Sequence, residues 1–464
     1  SPHSEGVIAS APLSGAADVD AAVAAARAAF DSGVWPGTDP AARIEAVGRL
    51  AQSYGKRLGE LGEVISAENG SPITFANLAQ AGGGFAVLSA FLQLAPSFPW
   101  ESQRPLMVGG EATVRHEPVG VVAAITAWNV PQMLIMAKLV PALLSGSTVV
   151  LKPAPETPLD ALVLMECIEE AGFPAGVVNL VVGGREEGEQ LVRDPRVDKV
   201  AFTGSTAAGQ IIGGICGQQL KRCSLELGGK SAAIVLDDAD LAATTQGLKF
   251  ASLLNSGQAC INQTRILASR ANYDAVVEAV VESVRQMKVG DPSDPATEVG
   301  PMVAQRQQER VDGYIALGEQ EGAKVAIGGR GRPSGLDRGW YVQPTVFAGA
   351  TNEMRISREE IFGPVLSVIP YTDVDEAVQL ANDSDFGLAG SVWTADVEAG
   401  NDIARRVRTG TFGINNYTAD FFAPFGGFKN SGLGREYGPE GLSAYTEIKT
   451  IYPPPSPEAG SLFA

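Results

Sequence analysis

From residue 111 onward the chain alternates short, continuous apolar runs with stretches whose apolar residues recur every three or four positions, and this alternation restricts the fold more than any other feature. The runs 120–127, 148–151, 177–182 and 199–202 read as strands, the first suited to cover on both faces. The intervening stretches 159–170, 187–192 and 207–215 read as helices, with Gly172 ending the first. Strands separated by helical crossovers pair in parallel, so an α/β fold is expected. A second series of the same kind begins at 232–236 and runs to about 413, which predicts a second α/β domain. Ahead of both, 16–30 and 41–67 have helical periodicity, and 112–116 alternates like a strand. At roughly 150 residues per domain, 464 residues suit about three domains.

Charge narrows the partners. The 35 Lys and Arg stand against 53 Asp and Glu, a net charge of −18 that repels phosphate backbones and anionic lipid, so neither nucleic acid nor a membrane surface is expected as a partner. Two histidines, His3 and His116, leave almost nothing from which to build a histidine metal site or a Cys–His relay. The four cysteines, Cys167, Cys216, Cys223 and Cys260, show no CxxC spacing and are too sparse for a disulfide framework. No metal is expected, and a reducing, cytoplasmic location is. The first residues lack a basic segment leading into an apolar one, and the most apolar stretch, 119–144, is interrupted by Asn129, Pro131, Gln132, Lys138 and Pro141. Neither a secretory leader nor a membrane span is expected.

Four segments could carry chemistry. Gly204-Ser205-Thr206 lies between a strand and a helix, where free N–H groups and the positive helix end suit a phosphate, although Ser205 would serve equally as an ordinary N-cap. No GxGxxG fingerprint accompanies it. Cys260 follows the polar, glycine-bearing Asn255-Ser256-Gly257-Gln258-Ala259, an odd setting for a packing cysteine; an isolated loop cysteine is nevertheless more often inert. Cys167, within an apolar helix, reads as core, and Cys216 and Cys223 read as structural. Glu226 stands between two leucines before paired glycines, placed either as a partly desolvated general base or as a solvated turn carboxylate. Asn129 follows Trp128 at a strand's C-terminal end, where α/β folds place ligands and where plain turns also occur.

Taken together, seven segments carry a resemblance. Ala127-Trp128-Asn129-Val130-Pro131, Leu151-Lys152-Pro153, Phe202-Thr203-Gly204-Ser205-Thr206, Glu226-Leu227-Gly228-Gly229-Lys230, Gly257-Gln258-Ala259-Cys260, Glu360-Ile361-Phe362-Gly363-Pro364 and Pro424-Phe425-Gly426-Gly427-Phe428-Lys429 occur in this order, and the chain resembles the aldehyde dehydrogenase superfamily from end to end. The resemblance implies a Rossmann-like cofactor domain (1–100 and 119–227), a second α/β catalytic domain (228–430), and a small β oligomerisation element from 101–118 and 431–464. It implies oxidation of an aldehyde through a covalent thioester. Cys260 would be the nucleophile, Asn129 with the Cys260 N–H the oxyanion donors, Glu226 the base for hydrolytic water, and Glu436 a secondary acidic residue linked to proton movement.

For the cofactor, NAD with NADP as an alternative, the resemblance assigns Lys152 to the adenine ribose, Gly204 and Ser205 to the pyrophosphate, Trp128 to the pocket wall and Glu360 to the nicotinamide ribose. Gly228 and Phe362 join the cofactor-binding set, and Lys138 matches a lysine near the cofactor. One position departs from the pattern: Pro155 stands where many NAD-preferring members carry a ribose-binding Glu, and Glu156 comes one residue later. The apolar 133–137 with Tyr417, Phe421 and Phe422 predicts a tunnel for an uncharged aliphatic, terpenoid or aromatic aldehyde. The alternatives are a CoA-acylating enzyme, a semialdehyde-specific one, a thiol hydrolase and a non-catalytic relative. A homodimer or homotetramer is expected.

Overall fold

The computed structural model describes residues 1–107 and 109–454. Strands β1 (Glu101–Pro105) and β2 (Glu111–Pro118) pair antiparallel, and the late strand Thr446–Ile451 adds to β2, forming a three-stranded sheet separate from the others. Next come β3 (Val121–Ile125), β4 (Thr148–Lys152), β5 (Val178–Leu180), β6 (Lys199–Thr203) and β7 (Arg222–Glu226), joined by helices that include Pro131–Ser145, Leu159–Ala171 and Thr206–Gln219. They form one parallel sheet in the order β7-β6-β3-β4-β5, with Gly432–Leu433 antiparallel on the outer side of β7.

Every residue of β3, β4 and β6 is buried, as expected of strands covered on both faces. The pleat assigns alternate residues to two cores. Val122 and Ala124 pack with Leu139, Val140 and Phe91, whereas Val121 and Ala123 pack with Val19, Val23 and Ile215. The chain moves from β3 outward through β4 and β5, then returns to the other side of β3 with β6 and β7. The C-terminal ends of β3 and β6 therefore flank a topological switch point, the place where open α/β sheets bind ligands.

The second sheet takes β8 (Ala232–Val235), β9 (Arg265–Ser269), β10 (Lys324–Ile327), β11 (Thr345–Ala348) and β12 (Val365–Tyr371) in the order β10-β11-β12-β9-β8, followed by Gly390–Trp393 and Gly413–Ile414. All its pairs are parallel except β10 with β11.

Three details depart from the sequence reading or add to it. The helix expected over 41–67 is two helices, Pro40–Lys56 and Leu58–Asn69, broken at Arg57 (φ −108°, ψ 12°), whose guanidinium bonds Glu60 and Glu166. A continuous helical run, Ile73–Ser97, with mean hydropathy 1.4 in its most apolar window, is long and apolar enough to cross a membrane by length and composition alone. Here Ala76, Ala81, Val87, Leu88 and Phe91 of that run lie in the protein core. Of the Pro-rich tail expected at 452–457 and the oligomerisation segment 431–464, residues from 455 onward lie outside the described residues.

Candidate active site

The C-terminal ends of β3, β6 and β7 converge on a cleft of about 810 Å³. From the first sheet come Trp128 and Asn129 after β3, Gly204 and Ser205 after β6, and Glu226 with Gly228 at the end of β7; from the part of the chain that carries the second sheet come Cys260, Glu360 and Phe362. Nine of the eleven residues singled out from sequence thus line one cavity. Glu436 and Lys152 do not line it.

Glu226 ends β7 opposite Thr203, and its carboxyl is buried with neither oxygen hydrogen-bonded among the described residues. Burial first, and the Glu436 charge second, push its pKa up to about 8, opposed by Lys138. Glu436, bridged to Phe425, accepts from Lys138 at 2.6 Å, and Lys138 also donates to Thr203 Oγ1 at 2.6 Å. Lys138 and Glu436 are a buried ion pair behind the cleft, and they reach it through Thr203. Cys260 is half-buried, and its thiol is pushed well above the ordinary range by burial and by the carboxyls of Glu226 and Glu360. Among the described residues, the Cys260 backbone N–H is bonded to no other residue.

Asn129 is buried on the cleft wall and donates one amide hydrogen to the Gln258 carbonyl at 3.0 Å; among the described residues the second is bonded to no other group. Ser205 caps the helix Thr206–Gln219, its hydroxyl accepting from the Ala208 N–H at 3.3 Å, so the ordinary N-cap reading is realised on the cleft wall. Glu360 accepts from the Gly229 N–H at 2.9 Å, and burial raises its pKa. Trp128 and Phe362 meet edge to face at 5.3 Å. Lys152 ends β4, buried, with its amine 3.3 Å from the Pro153 carbonyl; burial lowers its pKa.

Two cleft residues had no counterpart in the sequence reading. Gln307 donates to the Phe362 carbonyl at 2.7 Å, and Arg310 donates to the carbonyls of Ile361 (3.2 Å) and Glu360 (2.5 Å), so the helix Gln305–Gln320 clamps the segment carrying Glu360. Polar residues on an amphipathic helix read as a solvated face, and nothing local distinguishes these two. The expected tunnel wall is also partly corrected: Leu134 lines the cleft and Met133 is half-buried, but Ile135, Met136 and Ala137 point into the core. Among the described residues, no group of three or more His, Cys, Asp or Glu side chains is placed to hold a metal ion.

The family model for the aldehyde dehydrogenase family matches residues 1–451. The chain belongs to the aldehyde dehydrogenase family. Its members are oxidoreductases acting on the aldehyde group. The chain is similar to the geranial dehydrogenase of Castellaniella defragrans, with 49% identity over 97% of this chain and 93% of the relative. It is 40% identical to a 3-succinoylsemialdehyde-pyridine dehydrogenase of a Pseudomonas species, over 97% and 93% of the two chains. Among solved structures, a Mycobacterium tuberculosis aldehyde dehydrogenase complexed with NAD+ superposes with a TM-score of 0.96 at 49% identity, covering 98% of this chain and 93% of that one. Aldehyde dehydrogenase C of Pseudomonas syringae, a cysteine-to-alanine mutant complexed with NAD+ and octanal, gives 0.94 at 39% identity over 98% and 93%. This aldehyde dehydrogenase fold thus confirms the expected α/β architecture.

Proposed function

We propose that this aldehyde dehydrogenase oxidises an uncharged, apolar aldehyde to its carboxylic acid, using NAD+ and accepting NADP+, through a thiohemiacetal and then a thioester on Cys260. The observation that carries this reading is the meeting of the Cys260 thiol, the unpartnered Glu226 carboxyl and the Asn129 amide in one cleft. Ionised Glu226 takes the thiol proton, and the sulfur attacks the aldehyde carbon. The free Asn129 N–H and the Cys260 N–H hold the resulting oxyanion. NAD(P)+, when bound, supplies the acceptor for the hydride that leaves the thiohemiacetal. Glu226, having passed the thiol proton to solvent, then deprotonates the water that attacks the thioester; the C–S bond breaks, the acid departs, and the thiolate takes up the proton that Glu226 accepted from that water.

The residues present fit the cofactor. A Cβ at Gly228 would stand 2.5 Å from Glu360 Oε2, and one at Gly204 2.5 Å from the Phe202 ring, so bare backbone lines the cleft at both positions. Gly204, Ser205 and the helix start would hold the pyrophosphate, Lys152 the adenine ribose, and Glu360 with Trp128, Gly228 and Phe362 the nicotinamide end. Glu156, next to the departing Pro155, is paired with Arg306, which leaves no free carboxylate there to oppose a 2′-phosphate.

Support for an apolar substrate comes from Leu134, which lines the cleft with Cys260, together with the geranial- and octanal-named relatives. Arg310, the one basic residue in the cleft lining, is committed to backbone carbonyls. The test is kcat/KM, with each cofactor, for geranial, octanal, benzaldehyde, betaine aldehyde and succinic semialdehyde. A maximum at either charged aldehyde overturns the substrate reading, and acceleration by added CoA overturns hydrolysis. We further propose the domain division 1–100 with 119–227, 228–430, and 101–118 with 431–464 as the element of a homodimer or homotetramer, acting in the cytoplasm.

A further inference from the structure

The turn that delivers Cys260 is strained. Asn255, Ser256 and Gly257 all have left-handed backbone, at φ of 52°, 58° and 78°, and both side-chain-bearing residues are buried. For a residue with a side chain this conformation is disfavoured, least for Asn, so it persists only where the surroundings impose it. Ser256 is held through its hydroxyl, which accepts from the Gly300 N–H at 2.8 Å, and Gln258 through Oε1, which accepts from the Val303 N–H at 3.0 Å.

Asn255 is held differently. Its Nδ2 donates to the Asn129 carbonyl at 2.8 Å, while its Oδ1 accepts from the Ser71 hydroxyl at 2.7 Å; Gln80 Nε2 in turn donates to Ser71 Oγ at 2.6 Å. In the opposite direction Asn129 donates to the Gln258 carbonyl. The turn before the nucleophile and the residue carrying the oxyanion donor are thereby cross-linked reciprocally, with Asn255 contributing one link through its side chain and bending the turn through its backbone. Asp could not donate to the Asn129 carbonyl, and Gly would keep the turn but lose the link.

We propose that Asn255 is a positioning residue that sets the separation between the Asn129 amide and the Cys260 sulfur, a role resting on the reading of those two residues given above. It touches neither substrate nor reacting atoms and acts through Asn129.

The test is single-turnover NADH formation by full-length enzyme, with enzyme and NAD+ in excess over octanal. Asn255→Gly is expected to slow the first turnover at least tenfold while the KM for octanal in steady state stays within twofold. In an Asn129→Ala background the same substitution is expected to cost less than twofold further, because the amide it positions is already gone. A merely structural role would cost the same in both backgrounds, and that additivity, or an unslowed Asn255→Gly, overturns the proposal. Should Asn255→Gly fail to fold, Ser71→Ala, which removes the partner of Oδ1, is held to the same two criteria. Separately, an Asn129→Ala or Cys260→Ser enzyme with wild-type first-turnover rate overturns the reading of the site itself.

Discussion

Burial without a hydrogen-bond partner among the described residues suits Glu226 to the base role proposed for it. A carboxyl raised to about 8 is part protonated and part ionised near neutrality, so it can take a proton at one step and return it at another. Aldehyde oxidation should therefore gain a rising limb near pH 8, and Glu226→Gln should flatten it and lower kcat at least a hundredfold in steady-state assays. The same shift has a stability consequence. Its folded-state pKa lies above the unfolded value, so the folded form binds the proton more tightly, and stability falls as pH rises from about 4.5 toward 8. Measured against pH, the Tm of Glu226→Gln should gain on that of wild type across this window and hold a constant lead above it. Lys138 and Glu436 behave as a unit. Lys138→Met strands a buried carboxylate and should cost about 3–5 kcal/mol in denaturant unfolding, much of it recovered by adding Glu436→Gln.

Among the elements, the turn 254–257 is tightly constrained. An added Cβ at Gly257 would lie 2.1 Å from the Gly363 carbonyl carbon, on a backbone already at φ +78°. Gly257→Ala should therefore yield little soluble enzyme, or destabilise it by more than about 3 kcal/mol in denaturant melts. Gly48 is the contrast. It lies inside the helix Pro40–Lys56 with nothing within 4 Å of a Cβ, so Gly48→Ala should stabilise by about 0.5–1 kcal/mol in the same measurement. Elements were legible in proportion to how local their causes are. The buried runs that became β3, β4 and β6 announced themselves because both faces need apolar residues. The break at Arg57 did not, because no Gly or Pro stands at that position and one of the two carboxylates its guanidinium holds, Glu166, lies more than a hundred residues away.

For the whole molecule, the exposed strand Thr446–Ile451 is the feature on which the proposed homo-oligomer rests. It closes the edge of the three-stranded sheet, with Ile448 64% and Ile451 44% exposed, and an edge of this kind pairs readily with another copy. Ile448→Lys should shift the elution of the enzyme in size-exclusion chromatography toward smaller species. Cys260 stands out because its polar, glycine-bearing surroundings are odd for a packing residue, whereas Glu226 and Asn129 each also read as turn residues until the seven segments are taken together. By itself, then, the order of apolar runs and helices determined an α/β fold with two parallel sheets, and the seven segments determined the family. What only the tertiary structure decided is the meeting of residues far apart in the chain: which helix residues face the cleft, as Gln307 and Arg310 do; that Ile135 and Met136 do not; and that Asn255 holds Asn129. The reason is physical. Periodicity reports which face of an element avoids water, whereas a site depends on the angle and offset at which elements distant in the chain meet, and these are set by packing summed over the whole molecule.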